Sequence, residues 1–236
     1  AVTRKQVDGW RAMQHEILYQ PAFSLLTVTL HTAESVKAEA GAMVSMDSSI
    51  RMETQAAGGI MGGLKRKLLG GESFFVNTFT ASQPGEVQFA PTLPGDIFAL
   101  NLEGNTVMAQ SGAYIASAPE INVDTQWGGA KTFFSKEGLF LLKMSGAGPL
   151  FLGSYGAVHM IELQAGEMRV VDTGHMVAFD ESVQYNVKTV GGLKSTLFSG
   201  EGLVCELTGP GRIWIQSRSW DSFLSWLSPQ IPKRSS

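Results

Sequence analysis

The feature that most constrains this chain is a pair of short motifs that recurs three times in the same order. One motif, two glycines followed by an apolar residue and a lysine, occupies 62–65, 128–131 and 191–194. The other, a glycine and a small or polar residue followed by two apolar residues, occupies 41–44, 112–115 and 174–177. Two motifs kept in phase indicate three copies of one structural unit.

Short runs between these motifs alternate apolar and polar residues and are bounded by Gly, Pro, Asn and Asp, which is typical of β-strands with one buried face. The clearest runs are Leu26–Leu30, Phe75–Thr80, Glu86–Phe89 and Arg212–Gln216. The runs Leu139–Leu142 and Pro149–Leu152 are apolar on both faces, which predicts central strands or interfaces between copies. We also expect the glycine-rich stretches 146–149 and 209–211 each to separate two strands.

The predicted fold is all-β, with three fused repeats of a β-sandwich or double-stranded β-helix unit in a pseudo-threefold arrangement. The predicted repeats span about 23–92, 93–155 and 156–218, within one body from 23 to 218 that follows an N-terminal segment, 1–22. No Ser- or Pro-rich linker divides this body, and each unit is too small to bury both of its faces alone.

A short helix and a tail are predicted at 219–236, with Ser219 or Asp221 as the cap. Its aromatic and apolar residues are Trp220, Phe223, Leu224, Trp226 and Leu227. The favoured interpretation is that this stripe covers an open end of the β core. The alternative is a helix that docks on a membrane surface or on a partner.

Composition narrows the protein class. Of the 236 residues, 44% are hydrophobic and 17% charged, which is enough apolar material for a sizeable core. The formal net charge of −3 disfavours a surface built for nucleic acid.

No apolar run reaches the ~18 residues that span a bilayer, and no apolar signal core is visible, so we expect a cytoplasmic protein. The single cysteine, Cys205, is predicted to be a small buried hydrophobe.

No motif in the chain predicts catalysis, a metal or a cofactor. The four histidines are scattered, without the spacing of metal ligands. The phosphate-loop, dinucleotide and nucleophile-elbow patterns are missing from the sequence. We therefore expect a non-enzymatic protein with no catalytic residue, no metal and no cofactor. A metal-dependent enzyme similar to cupin-like β-helices is the remaining enzymatic alternative.

A charged pair accompanies each Gly-Gly motif, and it provides the candidate site residues. The lysines are Lys65, Lys131 and Lys194, and the glutamates six or seven residues later are Glu72, Glu137 and Glu201. The favoured interpretation is structural, with each glutamate pairing a lysine or accepting from backbone N–H groups at a glycine turn. The alternative is a site for an anion or polar ligand on the pseudo-threefold axis. A weaker alternative is nucleic-acid binding through the cationic run 65–67.

These motifs carry a family resemblance. Glu34, the run Gly41–Asp47 and the run Gly71–Phe75 resemble the Aim-twenty-four family, named for altered inheritance of mitochondria. The resemblance covers the chain from about Phe23 to Trp220, and departs from the family where Thr32-Ala33 stands in place of a frequent Pro-Gly. It implies a fold similar to the Trp-RNA-binding attenuator protein, here tripled, but not RNA or tryptophan binding, because function depends on sites. Eukaryotic relatives are linked to organisation of the mitochondrial inner membrane, which implies at most a membrane-linked assembly role here.

Together these observations predict a β-repeat scaffold or interaction protein that forms a homo-oligomer. Protein partners and peripheral membrane association are further expectations, and nucleic acid is disfavoured as a partner. The alternative function is binding of a small ligand or anion at the pseudo-threefold axis, and the weaker alternative is nucleic-acid binding.

Overall fold

The structure, a computed structural model, describes residues 13–56, 74–124, 141–189 and 203–231. Within these ranges the chain forms seventeen β-strands and one α-helix. The first nine strands are β1 (Gln14–Leu18), β2 (Leu25–Leu30), β3 (Ser35–Glu39), β4 (Met43–Met46), β5 (Ile50–Ala56), β6 (Phe75–Ala81), β7 (Gly85–Phe89), β8 (Ile97–Gln110) and β9 (Tyr114–Ser117). The others are β10 (Asn122–Asp124), β11 (Leu141–Gly153), β12 (Val158–Leu163), β13 (Met168–Asp172), β14 (Met176–Asp180), β15 (Gln184–Thr189), β16 (Leu203–Thr208) and β17 (Gly211–Gln216). The all-β prediction is confirmed.

The strands form three antiparallel sheets. A central ten-stranded sheet runs β12-β17-β14-β8-β11-β9-β3-β6-β5, with β10 also paired to β11. A four-stranded sheet runs β1-β2-β7-β4, and a three-stranded sheet runs β13-β16-β15. Antiparallel pairing suits the alternating sequence pattern, because one face of each strand packs on the core while the other faces solvent.

One set of pairings occurs in three successive stretches of the chain. The first stretch runs from β2 to β7, the second from β8 to β11 and the last from β12 to β17. The pairs β2–β7 and β3–β6 of the first stretch correspond to the two halves of the long β8–β11 ladder and to β12–β17 and β13–β16. In each stretch a further strand pairs antiparallel with the later strand of the first pair. These further strands are β4, which pairs with β7, β9, which pairs with β11, and β14, which pairs with β17. The sequence motifs therefore recur together with a recurring ladder geometry.

The motif at 41–44, 112–115 and 174–177 has a structural consequence. Its last residue is Val44, Ile115 or Val177, and in each case that residue is passed over in the ladder, so the register shifts by one. Such a β-bulge bends the strand and increases its twist. We call β4, β9 and β14 the bulged strands, and the glycine that begins each motif the motif glycine.

Three apolar clusters fill the interior. The first is formed mostly by the first stretch, including Phe79 and Phe89, whose rings meet edge to face at 5.2 Å between centroids. It also contains Ile115 and Phe151 of the second stretch. The third is formed mostly by the last stretch, including Phe179, together with Met108 and Leu141 of the second stretch. The middle cluster joins residues from all three stretches, from Phe74 to Trp214. Since a fully buried Leu or Phe side chain contributes ~1.5–3 kcal/mol, this shared cluster holds the stretches together.

The expectation of a strand break at 146–149 is wrong. Strand β11 runs without interruption through these residues, and the register shifts instead between Ser145 and Ala147. Gly146 and Gly148 adopt φ values of +133° and +121°, which glycine reaches without steric cost, so the chain bulges and continues. The corresponding break at 209–211 is present, since it separates β16 from β17.

The predicted C-terminal helix is confirmed as α1 (Trp220–Leu227). Ser219 is its N-cap, and its Oγ accepts a hydrogen bond from the backbone N–H of Ser222 at 3.4 Å. A single 3-10 turn follows at Ser228–Gln230. In the part of the chain that the structure describes, no helix has both the length and the apolar character needed to cross a membrane.

Candidate functional site

All six charged residues predicted as site candidates lie outside the described residues. They are Lys65, Lys131, Lys194, Glu72, Glu137 and Glu201, and the cationic run 65–67 lies outside them as well. These residues fall on the segments that connect β5 to β6, β10 to β11 and β15 to β16, and each of these strand pairs is antiparallel. The site on the pseudo-threefold axis therefore stays a prediction.

The single thiol is buried in the core of the last stretch. Cys205 is 1% exposed, and burial raises its pKa to about 12. A thiol that stays protonated at neutral pH is a poor nucleophile and a poor metal ligand. The prediction of a small buried hydrophobe is confirmed.

The histidines are dispersed over the structure. His15 and His175 each place Nδ1 against a backbone carbonyl, that of Met13 at 2.9 Å and that of Gln216 at 2.7 Å. His31 and His159 are exposed. Among residues 13–56, 74–124, 141–189 and 203–231, no three His, Cys, Asp or Glu side chains come close enough to hold a metal ion.

One carboxyl group is held in an unusual environment. Glu39, at the end of β3, is partly buried, and burial raises its pKa to about 7. The residue at the same distance from the motif glycine in the second stretch is Gln110, a neutral amide whose Nε2 donates to the carbonyl of Thr173 at 2.8 Å. Glu39 also raises the pKa of the buried Tyr114 hydroxyl through electrostatic repulsion, after the larger effect of burial itself. A carboxyl that titrates near neutrality therefore lies where the first two stretches meet.

A cleft of about 380 Å³ separates α1 from the last stretch. It is lined by Tyr155, His175, Ser217, Arg218, Ser219, Ser222, Phe223 and Trp226. Gln216 supports its floor, because its side-chain carbonyl accepts from the N–H of Tyr155 at 2.8 Å and its amide donates to Gly174 at 2.9 Å. The lining combines aromatic side chains with one guanidinium, one imidazole and three serine hydroxyls.

Helix α1 itself buries little of its surface. Phe223 meets the Tyr155 ring edge to face at 6.4 Å between centroids, yet no residue of the helix is buried. Trp220 and Leu224 are exposed, and Trp226 is 61% exposed. Much of the aromatic stripe of the helix therefore faces solvent.

Among the described strands that end a sheet, β4 and β13 each expose two large apolar side chains, whereas β5 and β12 each expose one. Strand β4 exposes Val44 and Met46, and strand β13 exposes Met168 and Val170. Within the described residues β4 pairs only with β7, and β13 pairs only with β16. An edge of this kind offers unpaired N–H and C=O groups beside apolar side chains, which is the arrangement that accepts another strand.

The sequence profile that describes the mitochondrial biogenesis protein AIM24 matches residues 15–218. The chain belongs to the AIM24 family. The resemblance predicted from the motifs is thereby confirmed.

Two relatives of this AIM24-family chain carry the comparison further. An uncharacterised protein of Streptococcus pyogenes serotype M6 is 28% identical over 239 residues, covering 98% of this chain and 95% of that protein. A crystal structure of a Streptococcus pyogenes protein, a structural genomics target, is 27% identical with a TM-score of 0.77. That alignment covers 93% of this chain and all of the other. The comparison supports the fold.

Sequence reasoning missed the two exposed edges. Apolar residues such as Val170 and Met46 stand in strand patterns, where an inward-facing position is the ordinary expectation. The recurring motifs were the available signal, but they do not specify which strands lack a pairing partner.

Proposed function

We propose that this AIM24-family protein is a non-enzymatic interaction protein that self-associates into a homo-oligomer and serves as a scaffold. The observation that supports this function is the exposure of large apolar side chains on β4 and β13, beside strand edges that lack a partner in the described residues. Natural proteins usually protect such edges with lysine, proline or a covering element. An unprotected apolar edge is favoured where another chain covers it.

Burial of these side chains gives the association its driving force. Apolar surface removed from water contributes ~25 cal/mol per Å², and backbone pairing satisfies the edge groups at the same time. Val44 and Met168 each have more than half of their surface in solvent, at 57% and 58%. Association that covers both edges is therefore favoured by packing and by hydrogen bonding together. The proposal places this assembly in the cytoplasm, which a single buried thiol supports.

Native mass spectrometry of the untagged protein tests this function directly. We expect species that are integer multiples of the 25.4 kDa chain, with the larger ones growing as the protein concentration rises through the micromolar range. A protein that remains a monomer throughout that range, with no co-purifying partner, would contradict the proposal.

A second role is supported by α1. The exposed Trp226, Trp220 and Leu224 form an aromatic and apolar surface on a short helix, which suits peripheral attachment at a membrane interface. We expect the tryptophan emission to shift to shorter wavelength when phosphatidylcholine vesicles with a minority of anionic lipid are added. The Trp226→Ser variant should lose most of that shift, whereas Met160→Ser, exposed on β12, should keep it. An unchanged spectrum for the unaltered protein would argue against membrane attachment.

Binding of an anion or polar ligand at the pseudo-threefold axis stays the alternative function. It depends on Lys65, Lys131 and Lys194, which lie outside the described residues. Native mass spectrometry tests this alternative as well. A small molecule that stays bound to the protein, and is lost when these three lysines are replaced by glutamine, would favour ligand binding over the scaffold function. Nucleic-acid binding through residues 65–67 stays the weaker alternative, and it requires binding at low salt that fades as salt increases.

A further inference from the structure

Within the residues that the structure describes, two short ladders, which we call seams, join successive stretches by main-chain pairing. In the first seam β3 pairs with the bulged strand β9. Ala38 lies opposite Ala116, and Lys37 lies opposite Ser117. Counted from the two motif glycines, position −3 of one stretch meets position +4 of the next, and position −4 meets +5.

The second seam repeats this register. The C-terminal half of β8 pairs with the bulged strand β14, with Ala109 opposite Ala178 and Met108 opposite Phe179. These are again positions −3 with +4 and −4 with +5. The seam continues by one step, from position −5 to position +6, where Val107 lies opposite Asp180.

A third seam of the same kind would join the last stretch to a first one. Applied to the remaining strands, the shared register sets Val171 of β13 opposite Ser45 of β4 and Val170 opposite Met46. The next step sets Arg169 opposite Asp47, a pair of opposite charges. Asp47 matches Asp180 in its local bonding as well, because each carboxylate accepts from the backbone N–H that follows the glycine of a hairpin, at Glu86 and Arg212.

The exposed fractions identify this third seam as open. Met108 and Phe179, which face each other in the second seam, are each 2% exposed. Val170 and Met46 hold the same positions in the third and are 55% and 39% exposed. The apolar side chains at these positions are thus buried in the second seam and exposed in the third.

We propose that β13 of one copy pairs antiparallel with β4 of a second copy, in the register that sets Val170 opposite Met46. This inference rests on the proposed self-association and identifies its surface. The occupant is a second copy because the molecule already makes this contact twice within itself, between strands at equivalent positions and in the same register. Apolar pairs and opposite charges directly across an antiparallel ladder each stabilise it. The contact is heterologous, so every copy offers one β13 and one β4.

Cysteine cross-linking between separate chains tests the register. One chain carries Met46→Cys and the other Val170→Cys, and the two are mixed under mild oxidation. A second mixture carries Ser45→Cys and Val171→Cys. Opposed residues in an antiparallel ladder alternate between Cα separations of ~4.5 and ~5.5 Å, both within disulfide range. We expect a covalent dimer from at least one of the two mixtures.

A matched control moves one cysteine out of register. Val44 is exposed like Met46 but is the residue that the ladder passes over, so Val44→Cys mixed with Val170→Cys should give little cross-linked dimer. The native Cys205 stays in every variant, because its burial keeps it out of the reaction.

The remaining outcomes separate this inference from the proposed function. If wild-type protein is oligomeric by native mass spectrometry but neither mixture cross-links, the interface is wrong and self-association stands. A monomeric wild type overturns both. If Met46→Cys and Val170→Cys placed on one chain form an internal disulfide while the mixtures form none, the third seam closes within a single chain and the inference fails.

Discussion

Glu39 carries a carboxyl group whose protonation is altered by its surroundings. Burial raises the pKa of its carboxyl from the ordinary 4.5 to about 7, so the folded state binds this proton more tightly than the unfolded state does. The free energy of unfolding therefore falls as pH rises from about 4.5 to about 7, and the stabilisation by the proton is lost above that range. Above neutrality, the folded protein carries a partly buried charge at the end of β3.

Replacing Glu39 by glutamine should remove this dependence. Gln110, at the equivalent position, shows that an amide is accommodated there. We expect Glu39→Gln to raise the urea midpoint at pH 8 and to leave it nearly unchanged at pH 5. Glu53→Gln, at an exposed position of β5, serves as the control. It should change the urea midpoint by the same amount at pH 5 and at pH 8. Equal midpoints for Glu39→Gln and wild type at pH 8 would show that the carboxylate is well solvated.

At the scale of elements, the long β8–β11 ladder contains two glycines whose surroundings differ in a measurable way. A Cβ added at Gly146 would lie 2.4 Å from the carbonyl oxygen of Glu120, whereas one at Gly104 would meet nothing within 4 Å. Both residues have positive φ, at +133° and +92°, so an alanine is strained at either.

The alanine variants of these two glycines should differ in stability. We expect Gly104→Ala to cost about 1–2 kcal/mol from backbone strain alone, and Gly146→Ala to cost clearly more because of the added steric clash. Urea denaturation of both variants measures the difference. Equal losses would mean that the bulge in β11 shifts enough to accommodate a methyl group.

At the scale of the whole molecule, a head-to-tail seam predicts a specific behaviour on mixing. A lysine at Val170 should disable the β13 edge and leave β4 intact, and a lysine at Met46 should do the reverse. Each variant alone should be monomeric, because neither chain keeps two working edges. An equimolar mixture should form a 1:1 dimer and nothing larger, since a single intact seam remains. Light scattering with Met52→Lys as an exposed control on β5 checks this, and larger assemblies in the mixture would rule out a single seam.

Much of the fold was predictable from local patterns, and much of the surface was not. The strands β2, β6, β7 and β17, the capped helix α1, and the buried Cys205 follow from periodicity and capping, which depend on near neighbours in sequence. The departure from the family pattern at Thr32-Ala33 coincides with an unusual backbone conformation. Ala33 stands where relatives often have glycine, and it adopts φ of +68°, in the left-handed region. The open edges escaped prediction because exposure of β4 and β13 is set by which strands find partners across the whole chain. The Lys–Glu site stays a prediction because its residues lie outside the described ranges.

The register shared by the two internal seams has a consequence for how assembly responds to abundance. Contacts between covalently joined units form at an effective concentration in the millimolar range for short connections, whatever the amount of protein present. A contact between separate molecules depends on their actual concentration. Because the three stretches are fused, the two internal seams form at any protein concentration. The third seam joins separate molecules, so the concentration at which the protein is produced determines how far the chains associate.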